Sequence, residues 1–347
     1  MHRWVLTILI LITISMVVAA TLQVWRLTQV AEITPTTPAT ATSSPSTQPP
    51  LTMTIQPSAT PPAAATHTAT VTVSPTAIPT PTPFPSPQAY IAYRVRSGDT
   101  LAVIAQASGS TPAYIAAFNR FSGEPETSRP LIIPQLDAKA STITSQAILV
   151  QRGANRSAVA LTFDAGADST PTTAILDTLA LHHVHVTFFL TGDWVQKNPD
   201  LTRRIIADGH EVANHSQTHP DFRQLDDTAI TSELHQMAQA FFDATGIWPA
   251  PYFRPPFGAY DERVLRTVIA NGYLPIFWTL DSLDSVGETK SADFIVDRLT
   301  NTLAPNQLNG AILLCHIGNA STAEALPRIL DEFAKRGIIV TTLSQIL

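Results

Sequence analysis

The sequence predicts an α/β protein, a (β/α) barrel of about seven strands preceded by a small strand–helix–helix–strand module. Three observations predict it. From residue 147 onward, short apolar runs alternate with amphipathic stretches of helical period, as repeated β–α units require. Reactive polar side chains directly follow five of those runs, as they do on the carboxyl rim of such a barrel. Residues 92–136 carry their own opening strand, two helix starts and a closing strand.

His2 and Arg3 precede an uncharged run from Trp4 to Trp25, and Arg26 closes it. At a 1.5 Å rise, a helix of that length crosses a hydrocarbon core of about 30 Å. Residues 1–26 therefore read as a signal-anchor, with Trp4 and Trp25 at the two interfaces. Val18-Ala19-Ala20 supplies the small-residue site of the alternative, a cleaved signal peptide. The expected location is the cell membrane, single-pass with an extracytoplasmic catalytic domain, or secreted if the segment is cleaved. Residues 33–89 hold 14 of the 28 prolines among Thr, Ser and Ala, and Ile33 to Tyr93 contains no Asp, Glu, Lys or Arg. Such a stretch cannot bury enough apolar surface to offset its ordering entropy, and reads as a disordered, extended stalk.

From Ala147 to the end there are 14 basic and 22 acidic residues, a net charge of −8. That excludes a nucleic-acid partner, which needs a basic face. Cys315 is the single cysteine, so neither an intramolecular disulfide nor a Cys-based zinc cluster is available.

In the 92–136 module, Tyr93-Arg94-Val95 alternates like a strand, and Gly98-Asp99-Thr100 turns into a helix with Asp99 as the expected N-cap. Leu101, Ile104 and Ala105 form an apolar helix face, Thr111-Pro112 opens a second helix, and Leu131-Ile132-Ile133-Pro134 closes as a strand. This run, with Asn119, resembles the LysM module in order and spacing. The resemblance implies binding of N-acetylglucosamine-containing glycan, peptidoglycan or chitin, against the loop of Gly98, Asp99 and Thr100. Ser128-Arg129-Pro130 departs from it where the family usually places a glycine.

In the region 147–347, strands are expected at Ala158–Phe163, Val184–Leu190, Glu211–Ala213, Pro251–Phe253, Leu274–Thr279, Ala311–Cys315 and Ile338–Thr342. Thr228–Ala244 places Ile230, Leu234, Met237 and Phe241 on one helical face. Thr322–Arg336 does the same with Leu326, Ile329, Leu330 and Phe333, and because proline is tolerated in a first turn, Pro327 sets that helix's start near Ala325.

Asp164, His215, Arg254, the pair Asp281 and Asp284, and His316 each follow one of these runs. His215 and His219 are four apart, so on a helical turn both imidazoles can reach one ion. Two histidines with oxygen donors and an open position suit a catalytic Zn²⁺-type site, with Co²⁺, Mn²⁺ or Ni²⁺ as alternatives. Asp164 can serve as general base and His316 as general acid, while Arg254 keeps Asp164 ionised and Asp284 orients His316. His182, His183 and His185 sit by a helix end, His210 follows another, and Cys315 faces away from Leu314 and His316 as a packing residue.

The whole region resembles the NodB-homology polysaccharide deacetylases, carbohydrate esterase family four, through five motifs in order. They are Thr162-Phe163-Asp164-Ala165-Gly166, His215-Ser216-Gln217-Thr218-His219, Arg254-Pro255-Pro256-Phe257-Gly258, Asp281-Ser282-Leu283-Asp284 and Leu314-Cys315-His316. The resemblance implies a distorted barrel and metal-dependent removal of acetyl from an N-acetylated sugar. It makes Asp164 the base, Arg254 its tether, the Phe257 N–H an oxyanion donor, Leu314 part of the acetyl pocket and His316 the acid. Two departures stand out. Ala165 occupies the usual third metal-ligand position, with Asp168 as a replacement. Ser285 replaces a usual Trp, leaving Trp278 as the nearby apolar wall. The competing expectations are an impaired enzyme that only binds or anchors to wall glycan, and an O-acetyl esterase on polysaccharide.

Overall fold

The computed structural model describes residues 85–154, 157–166 and 168–347. The Trp4–Trp25 run and nearly all of the Pro-rich stretch lie outside them. Among the described residues no helix is long and apolar enough to cross a membrane.

The small module has the expected order: β1 (Ala89–Arg94), α1 (Leu101–Ser108), α2 (Pro112–Phe118) and β2 (Pro130–Gln135). β1 and β2 pair antiparallel from Ala89↔Gln135 to Arg94↔Pro130, so the first strand begins three residues before residue 92. Leu101, Ile104, Ile115, Leu131 and Ile133 fill its core. The expected cap is corrected. Thr100, not Asp99, caps α1, with its side chain accepting from the Val103 N–H. The Asp99 carboxylate instead accepts from Tyr93 Oη (2.6 Å) and the Arg96 N–H (2.7 Å), fixing the turn before the helix. Ser128 sits at φ +74°, a left-handed conformation that glycine would take without strain.

The larger region runs β3 (Ala158–Ala165), α3 (Thr172–Leu181), β4 (Thr187–Leu190), α4 (Gly192–Lys197), α5 (Pro199–Ala207), β5 (Glu211–Asn214), α6 (Asp227–Thr245) and β6 (Ala250–Phe253). It continues through α7 (Glu262–Ala270), β7 (Leu274–Pro275), β8 (Leu280–Asp281), α8 (Ala292–Asn301), α9 (Pro305–Leu308), β9 (Ile312–His316), α10 (Ala320–Lys335), β10 (Ile339–Thr341) and α11 (Leu343–Ile346). The strands pair in parallel in the order β7-β6-β5-β4-β3-β9-β8, with β10 also on β3. Every residue of β3, β4, β5 and β6 is buried, which is why these strands read as mainly apolar stretches without strict alternation, with the polar ends of β5, Glu211 and Asn214, as exceptions.

The stretch expected as one strand, Leu274–Thr279, is divided. β7 pairs with β6, whereas β8, just beyond it, pairs with β9 at the opposite edge of the sheet. The two edges are thus successive pieces of one stretch of chain, and the sheet curls round to bring them near each other without pairing them. Periodicity carries no sign of this, because the apolar run is continuous while its hydrogen-bonding partner changes.

A second correction concerns α10. It begins at Ala320, with Pro327 inside it, rather than near Ala325. An interior proline costs a helix about 3 kcal/mol. The early start is held by the Asn319 side chain, which accepts from the Thr322 N–H (3.1 Å), and by the bond from Thr322 Oγ1 to Asp284 Oδ2 (2.6 Å).

Two hydrophobic clusters flank the sheet. The larger packs Phe163, Phe188 and Leu190 under Leu176, Phe241, Leu330 and Phe333 of the surrounding helices. In the second, Ala92 and Ile132 of the module join Val150, Tyr252, Leu274 and Ile276 of the barrel. Arg129 Nη2 donates to the Ser344 carbonyl (3.3 Å), and a Cβ at Gly272 would meet the Tyr90 ring at 3.0 Å. The module is therefore packed on the barrel, not joined to it only by the 137–147 connection.

His210 follows α5 and is buried against Phe188 and His185, at ring separations of 5.2 and 5.9 Å. Burial pushes its pKa down to about 4. The folded value lies below the unfolded one, so protonation favours unfolding. Its contribution is complete above about pH 6.5 and is lost as pH falls toward 4, by about 3 kcal/mol. Urea unfolding of His210→Gln at pH 7 and pH 4 is expected to show a pH dependence smaller than wild type by that amount, and equal dependences would contradict it.

Candidate active site

The five strand ends converge on a cleft of about 500 Å³ lined by Asp164, His215, His219, Phe257, Trp278 and His316, with Ala165, Asp281, Ser285 and Leu314 among its other walls. Parallel pairing brings them together. β3 and β9 align Asp164 with His316, and β5 continues straight into His215.

Asp164 is the centre of the geometry. Arg254 Nη1 donates to Asp164 Oδ1 (2.6 Å) and to Thr162 Oγ1 (2.9 Å). Arg254 is fully buried, with its guanidinium 4.0 Å over the Phe189 ring, so its charge faces the carboxylate rather than water. A charge removed from water in this way requires such a partner.

Asp284 holds His316 at two points and is itself held by Thr322. His316 Nδ1–H donates to Asp284 Oδ1 (2.7 Å), while Oδ2 accepts from the His316 N–H (2.8 Å) and Thr322 Oγ1 (2.6 Å). Burial alone would lower the His316 pKa, but the Asp284 hydrogen bond and charge outweigh it and raise it above 6.5. The shift favours the imidazolium form, and the His316 ring lines the cleft. Ser285 Oγ lies 3.3 Å from Nε2, within hydrogen-bonding distance of it.

The His215–His219 segment is a tight loop, not a helical turn. Ser216 and His219 have φ of +71° and +65°, and the two rings stand 4.9 Å apart. The His215 Nδ1 bonds to the Arg254 carbonyl (2.8 Å). A carbonyl only accepts, so the hydrogen is on Nδ1 and Nε2 keeps its lone pair, 3.5 Å from Asp164 Oδ2. Burial pushes His215 down to about 4 and lowers His219 as well, so both rings are neutral at pH 7. Neutral imidazoles, one fixed through its other nitrogen by a carbonyl, are the donors a divalent ion takes. His215 and His219 fit such an ion, with the Asp164 carboxylate beside them. Among the described residues, no group of three or more His, Cys, Asp or Glu is placed to hold a metal ion.

Asp168 is not brought to the pair. Its carboxylate accepts from the Thr170 N–H (3.0 Å) and Thr170 Oγ1 (2.8 Å), opening the way into α3. Its backbone lies against Gly318, past His316, where a Cβ would meet the Asp168 carbonyl at 2.6 Å. An Asp two residues before a hydroxyl-bearing N–H satisfies that local bond first. Ala165 is buried at the cleft wall and offers no donor.

Phe257 has φ +59° and an exposed ring that packs edge-on against His219 at 4.5 Å. Trp278 stacks on Phe277 at 3.8 Å, and Leu314 reaches the cleft while Cys315 is buried on the other face. Gly98, Asp99 and Thr100 lie on the module and form its first turn and helix cap. Sequence reasoning gave no role in the site to Thr162, Thr322 or Asn319. Thr162 Oγ1 takes a bond from Arg254, and Asn319 Nδ2 donates to the Asp284 carbonyl (2.7 Å). They leave no spacing signal because each acts across sequence-distant elements.

The profile of the polysaccharide deacetylase family matches residues 151–276. The peptidoglycan-N-acetylmuramic acid deacetylase of Bacillus subtilis is 32% identical over 188 residues, 54% of this chain and 70% of that protein. A chitooligosaccharide deacetylase of Rhizobium leguminosarum bv. trifolii is 34% identical over 209 residues, 56% of this chain and 94% of the relative. The crystal structure of a carbohydrate esterase family four pseudoenzyme from Bacillus anthracis matches with a TM-score of 0.53 at 29% identity, covering 58% of this chain and 69% of that one. Family four deacetylases are divalent-metal enzymes, and by sequence, fold and strand-end residues this chain belongs to the polysaccharide deacetylase family.

Proposed function

We propose that the protein is a hydrolase that removes N-acetyl groups from cell-wall glycan containing N-acetylglucosamine, releasing acetate. The observation that carries the reading is the opposed pair across one cleft: the Arg254-tethered Asp164 carboxylate and the His316 ring held by Asp284. Asp164 takes a proton from water as its oxygen attacks the acetyl carbonyl carbon. The Phe257 N–H is the donor assigned to the oxyanion, and Leu314 and Trp278 enclose the acetyl methyl. His316 Nε2 then gives its proton to the amide nitrogen as the C–N bond breaks, leaving acetate and a free amine. Each proton transfer contributes about 10²–10⁴-fold in rate. A divalent ion on His215 and His219, Zn²⁺ by donor type, would polarise the acetyl carbonyl and lower the pKa of bound water.

The strand–helix–helix–strand module is assigned as a LysM-type glycan binder using the loop at Gly98, Asp99 and Thr100. Its packing on the barrel gives a bound glycan a fixed relation to the enzyme. Deleting residues 89–136 is then expected to lower activity on insoluble peptidoglycan more than on short soluble oligomers. Equal losses on both would contradict this. The Trp4–Trp25 run supports a membrane anchor, or secretion if it is cleaved. The test of the activity is acetate release from peptidoglycan and chitooligosaccharides, with and without added Zn²⁺, Co²⁺, Mn²⁺ or Ni²⁺. O-acetylated xylan as the preferred substrate would replace the reading with an esterase.

Ala165, together with the likeness to a pseudoenzyme, favours one second reading: a glycan-binding protein with an impaired site. Ala165→Asp distinguishes the two. For an active enzyme on two imidazoles, wild type releases acetate with added metal, and Ala165→Asp tightens Zn²⁺ binding about 10–100-fold. For an impaired site, only the variant releases acetate.

A further inference from the structure

We infer that Glu233 is a positioning residue for the metal-binding pair, clamping the loop between His215 and His219 onto α6. The inference rests on the metal reading above. Glu233 lies on the second turn of α6, outside all five motifs. Its Oε2 accepts both the Gln217 N–H (2.9 Å) and the Thr218 N–H (2.8 Å), and its Oε1 accepts from Thr218 Oγ1 (2.8 Å).

One carboxylate thus holds two successive backbone amides midway between the two histidines. The neighbouring residue of the helix joins in. The Leu234 carbonyl accepts from Asn214 Nδ2 (2.9 Å), and Asn214 Oδ1 accepts from the Ser216 N–H (2.8 Å). Ser216 Oγ in turn accepts from the His219 N–H (2.9 Å). Every backbone N–H from Ser216 to His219 therefore has a side-chain acceptor, and those of 217 and 218 depend on Glu233.

The loop needs the clamp because its own backbone opposes the shape. Ser216 and His219 are non-glycine residues in the left-handed region, a conformation that persists only where surroundings over-determine it. Without Glu233 the segment can relax, and His219 turns away from His215. His215 is fixed separately through its Nδ1 bond to the Arg254 carbonyl. Loss of the clamp should therefore act on the geometry of the pair, not on the fold.

Hydrogen exchange and Zn²⁺ affinity by chelator competition, on the full chain, test this in wild type, Glu233→Ala and Glu233→Gln. Gln is near-isosteric. Its carbonyl oxygen can take both N–H groups, and its NH₂ can donate to Thr218 Oγ1. In Glu233→Ala, Gln217 and Thr218 amides are expected to exchange at least ~10-fold faster, and Zn²⁺ affinity to fall ~10–100-fold as for other supporting partners of metal ligands. The thermal transition is expected to stay cooperative, and Glu233→Gln to keep wild-type affinity within about threefold. Unchanged exchange at 217 and 218, wild-type affinity in a loosened Glu233→Ala, or a folded Glu233→Gln as weak as Ala would each overturn the inference. Should Glu233→Ala fail to fold, the Gln variant alone decides. Wild type that binds no Zn²⁺ would overturn the metal reading, and the exchange rates would still decide the clamp.

Discussion

Asp164→Asn is expected to cut acetate release about 10²–10⁴-fold while leaving the protein folded, and His316→Ala to do the same. The amide of Asn keeps an oxygen for Arg254 Nη1 but cannot take a proton from water. The Ala at 316 removes the Nε2–H assigned as proton donor to the amide nitrogen. Steady-state acetate release, with circular dichroism to confirm folding, checks both. Either variant turning over within threefold of wild type would be incompatible with the proposed roles.

Arg254→Met is the second large effect. The guanidinium is fully buried and bonded at 2.6 Å to Asp164. Methionine fills much of the space but leaves a carboxylate in an apolar wall. Breaking one partner of a buried pair costs about 3–5 kcal/mol. Without the guanidinium the carboxylate also loses the bond that fixes its orientation toward the cleft. Stability from urea unfolding and activity are therefore expected to fall together. A variant as stable and active as wild type would show that Asp164 does not depend on Arg254.

Much of this site is legible in the sequence because strand ends are local. An apolar run that stops at a polar residue announces both the strand and the rim, and Asp164, His215, Arg254 and His316 all follow that rule. The curl of the sheet is not legible. The run from Leu274 to Thr279 reads as one strand, and only the folded sheet shows that β7 at its start pairs with β6 while β8 just after it pairs with β9. Pro327 misplaced the start of α10 because local propensity was outweighed by Thr322 and Asn319, which bind Asp284. Asp168 illustrates the reverse. A glycine nearby permits a bend, but the Thr170 hydroxyl and N–H offer the carboxylate nearer partners.

The pH dependence of kcat/KM tests the acid–base assignment most directly. His316 carries a raised pKa and must be protonated to act, so activity should fall as pH rises through a value above 6.5. In Asp284→Asn the hydrogen bond to Nδ1 can persist but the carboxylate charge is gone. The alkaline limb should then move to lower pH, with a reduced maximum. A wild-type rate that climbs steadily through pH 9, or a limb that Asp284→Asn leaves in place, would contradict His316 as the proton donor.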